Sequence, residues 1–164
     1  MIDHAEEKAS ALAEEIRTWP HGPAVHVPSS ITEAVQQADI VLAATTSKTP
    51  LFDGNDLKPG THVTGVGAFT PEMQEIDENT VRRTRVIVDS REACQAEAGD
   101  IIKTNASIEA ELGEIVNGEH PDRKSSEEIT FFKSVGLAAQ DAAAAAAVLA
   151  GAEKKGLGTI VEMD

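Results

Sequence analysis

Four short apolar runs, set between segments of helical spacing, constrain this chain more than any other feature. They are ADIVLAATT (38–46), THVTGVGAF (61–69), RVIVD (85–89) and ITFF (129–132). Runs of this kind read as strands, and ADIVLAATT, with its length and β-branched residues, fits a strand buried on both faces. Ala5 to Trp19 places Ala9, Leu12, Ala13 and Ile16 at three- and four-residue spacing, which predicts a helix. Asp3 and Glu6 form a capping-box pair at its start, and Pro20, Gly22 and Pro23 end it. Ser30 caps a second helix through Gln37, and Lys58-Pro59-Gly60 turns the chain into the second run. Further helices are expected over Glu75 to Arg83, Ser90 to Ala98, Ile108 to Asn117 and Val135 to Lys155, the last containing Ala142 to Ala147. Val25 to Val27 adds a short strand candidate. Pro121 to Glu127 reads as a polar loop, and Gly99 to Ala106 and the tail after Gly156 carry no firm pattern. Strands alternating with helices predict an α/β fold: a doubly wound, mostly parallel sheet with flanking helices.

Composition narrows the function classes. The 164 residues carry 14 Lys and Arg against 28 Asp and Glu, a formal net charge of −14. That balance argues against nucleic acid as a partner, because such affinity comes largely from neutralising phosphates. It fits a hydrated surface of the kind found in halophiles and in many acidic cytosolic proteins. No apolar run approaches the ~20 residues needed to cross a bilayer, and the acidic, amphipathic start is unlike a secretory or organellar presequence. The expectation is a cytoplasmic protein without a membrane partner. Aromatic residues are only 3%, with no Tyr, so the core must be aliphatic and alanine-rich. A single cysteine, Cys94, forbids an intrachain disulfide, and five scattered histidines offer no helical pair for a metal.

In a doubly wound sheet, ligands bind beyond the carboxyl ends of the strands. Those ends are Ala44 to Ser47, Gly65 to Thr70, and Asp89 to Arg91. The first two are small and hydroxyl-rich, which lets a flat ligand approach the backbone; loop-starting Thr and Ser would look the same. Gly65 and Gly67 form a GxG pair without the third glycine or a helix directly after it, a weak nucleotide signal. No GxSxG elbow is present. Cys94 lies between Glu92 and Glu97, whose charges disfavour a thiolate, so it reads as a packing residue. From pattern alone, the chain is a nucleotide-binding-like α/β domain.

Three segments carry a resemblance. ADIVLAATTSKTPLFDGNDLKPGTHVTGVGAFTPEMQEID, RVIVDSREACQAEAGD and EITFFKSVGLAAQD, in that order, resemble the ornithine cyclodeaminase/μ-crystallin family over nearly the whole chain. The resemblance implies a Rossmann domain for NAD or NADP and a separate substrate-binding and dimerisation domain. It implies hydride exchange between a nicotinamide and the α-carbon of a small amino acid or cyclic imino acid, in a homodimer. By the same resemblance, Thr45 contacts the dinucleotide, Val66, Gly67, Ala68 and Phe69 line the nicotinamide side, Ser134 approaches the cofactor and Val135 approaches substrate. No metal is implied.

Two departures from the family pattern bear on the reaction. Phe69 stands where ornithine cyclodeaminases and alanine dehydrogenases of the family carry a catalytic aspartate, and Met73 stands where ornithine cyclodeaminase has a cofactor-contacting lysine. Phenylalanine can neither transfer a proton nor offset iminium charge. Cyclic ketimine reduction or alanine-dehydrogenase-like chemistry therefore fits better than true ornithine cyclodeamination. Asp100 and Glu75 are the acids that could stand in. The resemblance further implies that 1–164 is a partial cofactor-binding Rossmann domain, ending in a long helix and tail, without the GxGxxG region, the early strands or the substrate domain. Such a portion is expected to fold marginally, bind NAD(P)H poorly and be inactive alone. A non-catalytic NADPH-binding protein of the μ-crystallin kind and a truncated, inactive gene product are the competing readings.

Overall fold

The structure is a computed structural model describing residues 1–161; Glu162 to Asp164, the end of the expected tail, lie outside the described residues. Five strands form one sheet: β1 Ile40–Ala43, β2 His62–Gly65, β3 Arg85–Val88, β4 Ala110–Glu111 and β5 Thr130–Lys133. The helices are α1 Glu6–Arg17, α2 Ile31–Gln37, α3 Glu78–Arg83, α4 Arg91–Glu97, α5 Gly99–Thr104, α6 Leu112–Val116 and α7 Ala138–Lys155. The strand order is β1-β2-β5-β3-β4, and every pairing is parallel. The α/β class and the parallel sheet expected from the sequence are observed.

Register sorts the side chains into two faces. Val41, Val63, Phe131 and Val86 stand in one row, and Ala43, Gly65, Lys133 and Val88 in the next. Together with Val35, Leu57, Ile76, Val81 and Ile101 this face forms the core. The opposite face grades from open to closed. Ile40 and Leu42 on β1 are 70% and 68% exposed, His62, Thr64, Thr130 and Phe132 are half-buried, and Arg85 and Ile87 on β3 are buried. The expectation that ADIVLAATT is buried on both faces is therefore corrected. β1 is an edge strand, and among the described residues nothing covers its outer face.

Several boundaries move for local reasons. Val25 to Val27 is not a strand: no ladder pairs it, and the Val25 carbonyl accepts from the Arg17 side chain while the His26 carbonyl accepts from the Met1 amine. Asp3 accepts from the Ala5 N–H at 2.8 Å, but Ala5 holds the N-cap position of α1 and makes no side-chain cap. The helix expected from Glu75 starts at Glu78, because the Asp77 carboxylate caps the Thr80 N–H at 2.8 Å. Ala110–Glu111 pairs with β3 before α6 begins, and Glu111 and Glu114 form a reciprocal capping box there. Gly99–Thr104 is helical and closes on Asn105 in the left-handed region at φ 50°. The last helix starts at Ala138 rather than Val135, because Val135 and Gly136 donate their N–H groups to Asp89. The Ser30 cap of α2 is as expected, its side chain accepting from the Glu33 N–H.

Candidate functional site

Parallel strands deliver their carboxyl ends to one rim, and the register aligns Ala43, Gly65, Lys133 and Val88 along it. The residues one to four steps further on include every site position expected from the sequence. Thr45 follows β1 and is exposed; its hydroxyl accepts from the Ser47 N–H at 3.1 Å. After β2, Val66 and Phe69 are 39% and 48% exposed, whereas Gly67 and Ala68 are buried. After β5, Ser134 and Val135 are half-buried. The outward shelf of the rim thus carries the exposed Val66, Phe69 and Thr45, with the half-buried Ser134 and Val135 at the next strand end.

Beneath that shelf the loops are held by buried carboxylates. Glu75 is 0% exposed. One of its oxygens accepts from the Thr45 N–H, and the other accepts from the Gly67 and Ala68 N–H groups at 2.8 and 3.2 Å. The Glu75 and Ile76 N–H groups in turn donate to Asp100 Oδ1 at 2.7 and 2.9 Å. Asp100 Oδ2 lies 3.2 Å from Lys133 Nζ, and both side chains are fully buried. Neither atom has a further hydrogen-bonding partner among the described residues, so the contact is a close ion pair. Glu75 and Asp100 therefore do not serve as substitute acids: their oxygens face inward onto this chain's own backbone and Lys133.

The glycine pair acquires a physical meaning here. A Cβ on Gly67 would lie 2.0 Å from the Thr45 carbonyl oxygen and 2.5 Å from a Glu75 oxygen, and one on Gly65 would press the Phe131 ring at 3.2 Å. Gly67 is required by the close packing of the two loops, whereas a side chain at Gly65 would ask the Phe131 ring to shift by a few tenths of an ångström.

Asp89 organises the third strand end. Its Oδ2 accepts from the Ser134 hydroxyl at 2.6 Å and from the Val135 and Gly136 N–H groups at 3.1 and 2.9 Å. Its Oδ1 accepts from the Ser90 N–H at 2.8 Å and the Cys94 thiol at 3.3 Å. Burial opposes the charge, but these hydrogen bonds, Ser134 foremost, hold the carboxyl below its ordinary value. Cys94 is wholly buried. Burial, then its hydrogen bond to Asp89 and that residue's charge, pushes the thiol up to about 12, in keeping with a packing residue. Gly136 adopts φ 89°, a conformation that side chains rarely take.

The sequence singled out the exposed Thr45, Val66 and Phe69 and the buried Gly67 and Ala68, and it missed the inward, loop-holding roles of Glu75, Asp89, Asp100 and Lys133. Asp89 was visible only as a strand end and Lys133 only as the residue before Ser134. Nothing in the pattern around Glu75 and Asp100 signals burial.

No glycine-rich turn leading into a helix N-terminus, the usual pyrophosphate cradle, is found among the described residues.

The ornithine cyclodeaminase/mu-crystallin family matches residues 1–156. A Delta(1)-pyrroline-2-carboxylate reductase of Bacillus cereus is 38% identical over 170 residues, spanning 99% of this chain and 52% of the relative. A ketimine reductase mu-crystallin of Macropus fuliginosus is 44% identical over 121 residues, 74% of this chain and 38% of the relative. Among solved structures, Delta(1)-pyrroline-2-carboxylate reductase of Thermococcus litoralis in complex with NADH and L-proline superposes with a TM-score of 0.91 at 37% identity, over 98% of this chain and 51% of that one. An archaeal alanine dehydrogenase dimer with bound NAD gives 0.87 at 28% identity, over 99% and 52%. The chain spans about half the length of the Delta(1)-pyrroline-2-carboxylate reductases it matches. By sequence and by structure, the chain belongs to the ornithine cyclodeaminase/mu-crystallin family.

Proposed function

We propose that this chain forms the nicotinamide side of an NAD(P)-dependent imino acid reductase, acting on a cyclic ketimine or a related small imino acid. One observation carries the reading. The rim that joins the ends of β1, β2 and β5 presents an apolar shelf and hydroxyls, while the nearest carboxylates, Glu75 and Asp89, are occupied by their own backbone and side-chain donors. The bound nicotinamide would supply the hydride. Val66 and Phe69 would position its ring and exclude water from the reacting face, and Val135 would border the substrate. A protonated cyclic imine brings its own positive charge and proton to the site, so reduction requires less acid–base help than oxidation of an amine. Phe69 in place of an acid fits that direction.

The uncovered outer face of β1, with Ile40 and Leu42 exposed, supports reading the chain as one portion of a larger cofactor-binding domain. Dimerisation and the choice between NAD and NADP would belong to that larger assembly. The test is oxidation of NADH or NADPH by the purified chain in the presence of Δ1-pyrroline-2-carboxylate, with binding followed by nicotinamide fluorescence. Substrate-dependent loss of the reduced cofactor supports the proposal. Weak binding without turnover is what a cofactor-domain portion gives by itself. Binding without turnover in a protein that also supplies a substrate domain would favour a non-catalytic nucleotide-binding protein, for which the missing acid at Phe69 is the specific argument. Failure to bind either cofactor refutes the reading for this chain by itself.

A further inference from the structure

We infer that Glu75 is the positioning residue of this site, the group that fixes both cofactor-facing loops through their backbone N–H groups. The inference rests on the reading that the rim receives a nicotinamide dinucleotide. Lys133, Asp100 and Glu75 form an unbroken buried line under that rim, each 0% exposed. At one end Lys133, the last residue of β5, directly precedes Ser134 and Val135. At the other, the Glu75 carboxylate joins Thr45, which follows β1, to Gly67 and Ala68, which follow β2. The neighbouring backbone repeats the link: Gln74 N–H donates to the Ser47 carbonyl and Leu51 N–H to the Glu75 carbonyl, at 3.0 and 2.9 Å.

Burying three charged groups is costly, and apolar residues of similar volume often stabilise a core as well or better. What a carboxylate provides that an apolar side chain cannot is direction. It aims three N–H groups inward and thereby fixes the loop conformation that turns Val66 and Phe69 outward. Gly67 completes the device, since any Cβ there would displace the Thr45 backbone or the Glu75 carboxylate. In Glu75→Gln, either orientation of the amide sets an NH₂ group against backbone N–H donors of one loop.

Amide hydrogen exchange of the full chain, resolved by NMR, together with NADH titration into the millimolar range, tests this. In Glu75→Gln the amides of Thr45, Gly67 and Ala68 should exchange at least tenfold faster, while those of Val63, Val86 and Phe131 keep their wild-type protection. NADH affinity should fall tenfold or more, and Glu75→Asp, a shorter carboxylate, should lie between. Unchanged protection of the three amides overturns the inference, and so does uniform loss of protection across the sheet. Loosened loops with unaltered NADH affinity also overturn it, as does failure of both variants to fold, which would make Glu75 part of the folding core. If the wild-type chain binds no NADH, the cofactor reading fails and the exchange measurement alone decides whether Glu75 fixes the loops.

Discussion

Replacing Asp89 by Asn removes a charge from a carboxyl group on which five donors converge: Ser134 Oγ, the N–H groups of Val135, Gly136 and Ser90, and Cys94 Sγ. An asparagine oxygen turned toward Ser134 to Gly136 keeps three donors, but its NH₂ then faces the Ser90 N–H. A hydrogen bond to a charged acceptor is worth about 1.5–3 kcal/mol against about 1 for a neutral one. Weakening three such bonds and opposing two donors would amount to several kcal/mol in a dry interior. Solvent beside the Gly136 turn reduces this to about 2 kcal/mol. For a chain of this size that is a fall in Tm of roughly 4–8 °C at pH 7. The pH dependence has a fixed sign. The folded-state value of Asp89 lies below its ordinary 3.8, so its contribution is present in full above about pH 5 and is lost as pH falls through the folded value. Thermal melts of wild type and Asp89→Asn from pH 7 to about pH 3 should show a constant gap down to about pH 5 that narrows below it. Equal melting temperatures at pH 7, or a gap that closes by about pH 6, would refute the reasoning.

Three further outcomes follow from particular packing. Gly67→Ala inserts a Cβ 2.0 Å from the Thr45 carbonyl oxygen and should cost at least about 1–3 kcal/mol by urea unfolding; a cost near zero would show that the two loops separate easily. Phe131→Ala empties the centre of the core on β5, where the ring is 0% exposed, and should cost about 3–5 kcal/mol on the same measurement. Leu42→Lys changes an exposed position on the open side of the edge strand and should leave stability within about 0.5 kcal/mol. It should also reduce concentration-dependent association in sedimentation experiments, because charges on an edge strand oppose edge-to-edge pairing.

The alternation of apolar runs and helical spacing was sufficient to read the α/β class, because strands in a parallel sheet are marked by composition over only four or five residues. The carboxyl ends of those strands then pointed to Ala44 to Ser47, Gly65 to Thr70 and Asp89 to Arg91, and it was the family resemblance that singled out Thr45, Val66 to Phe69, Ser134 and Val135. Val25 to Val27 failed because a strand exists only with a neighbour to pair with, and local composition does not report one. Glu75 failed for the opposite reason. A charged residue in PEMQEID has the look of a solvated helix start, whereas its burial is decided by Thr45, thirty positions away. Buried polar networks are long-range by nature, so their members are seen in sequence as ordinary surface residues.

The helix α7 has a thermodynamic consequence of its own. None of its 18 residues is buried, and Val148 and Leu149 are 71% and 61% exposed. Its order rests on alanine propensity, on Asp141 near its positive end and Lys154 and Lys155 near its negative end, and on Gly156 at φ 63° closing it. Isolated helices shorter than ~12–15 residues are marginal in water, and this one stands only slightly above that limit. Helix–coil statistics, rather than the cooperative unfolding of the sheet, then govern α7. On heating, far-UV ellipticity should decline gradually from low temperature while the buried core around Phe131 is still intact, so a two-state fit to ellipticity alone would report too small an enthalpy for the domain.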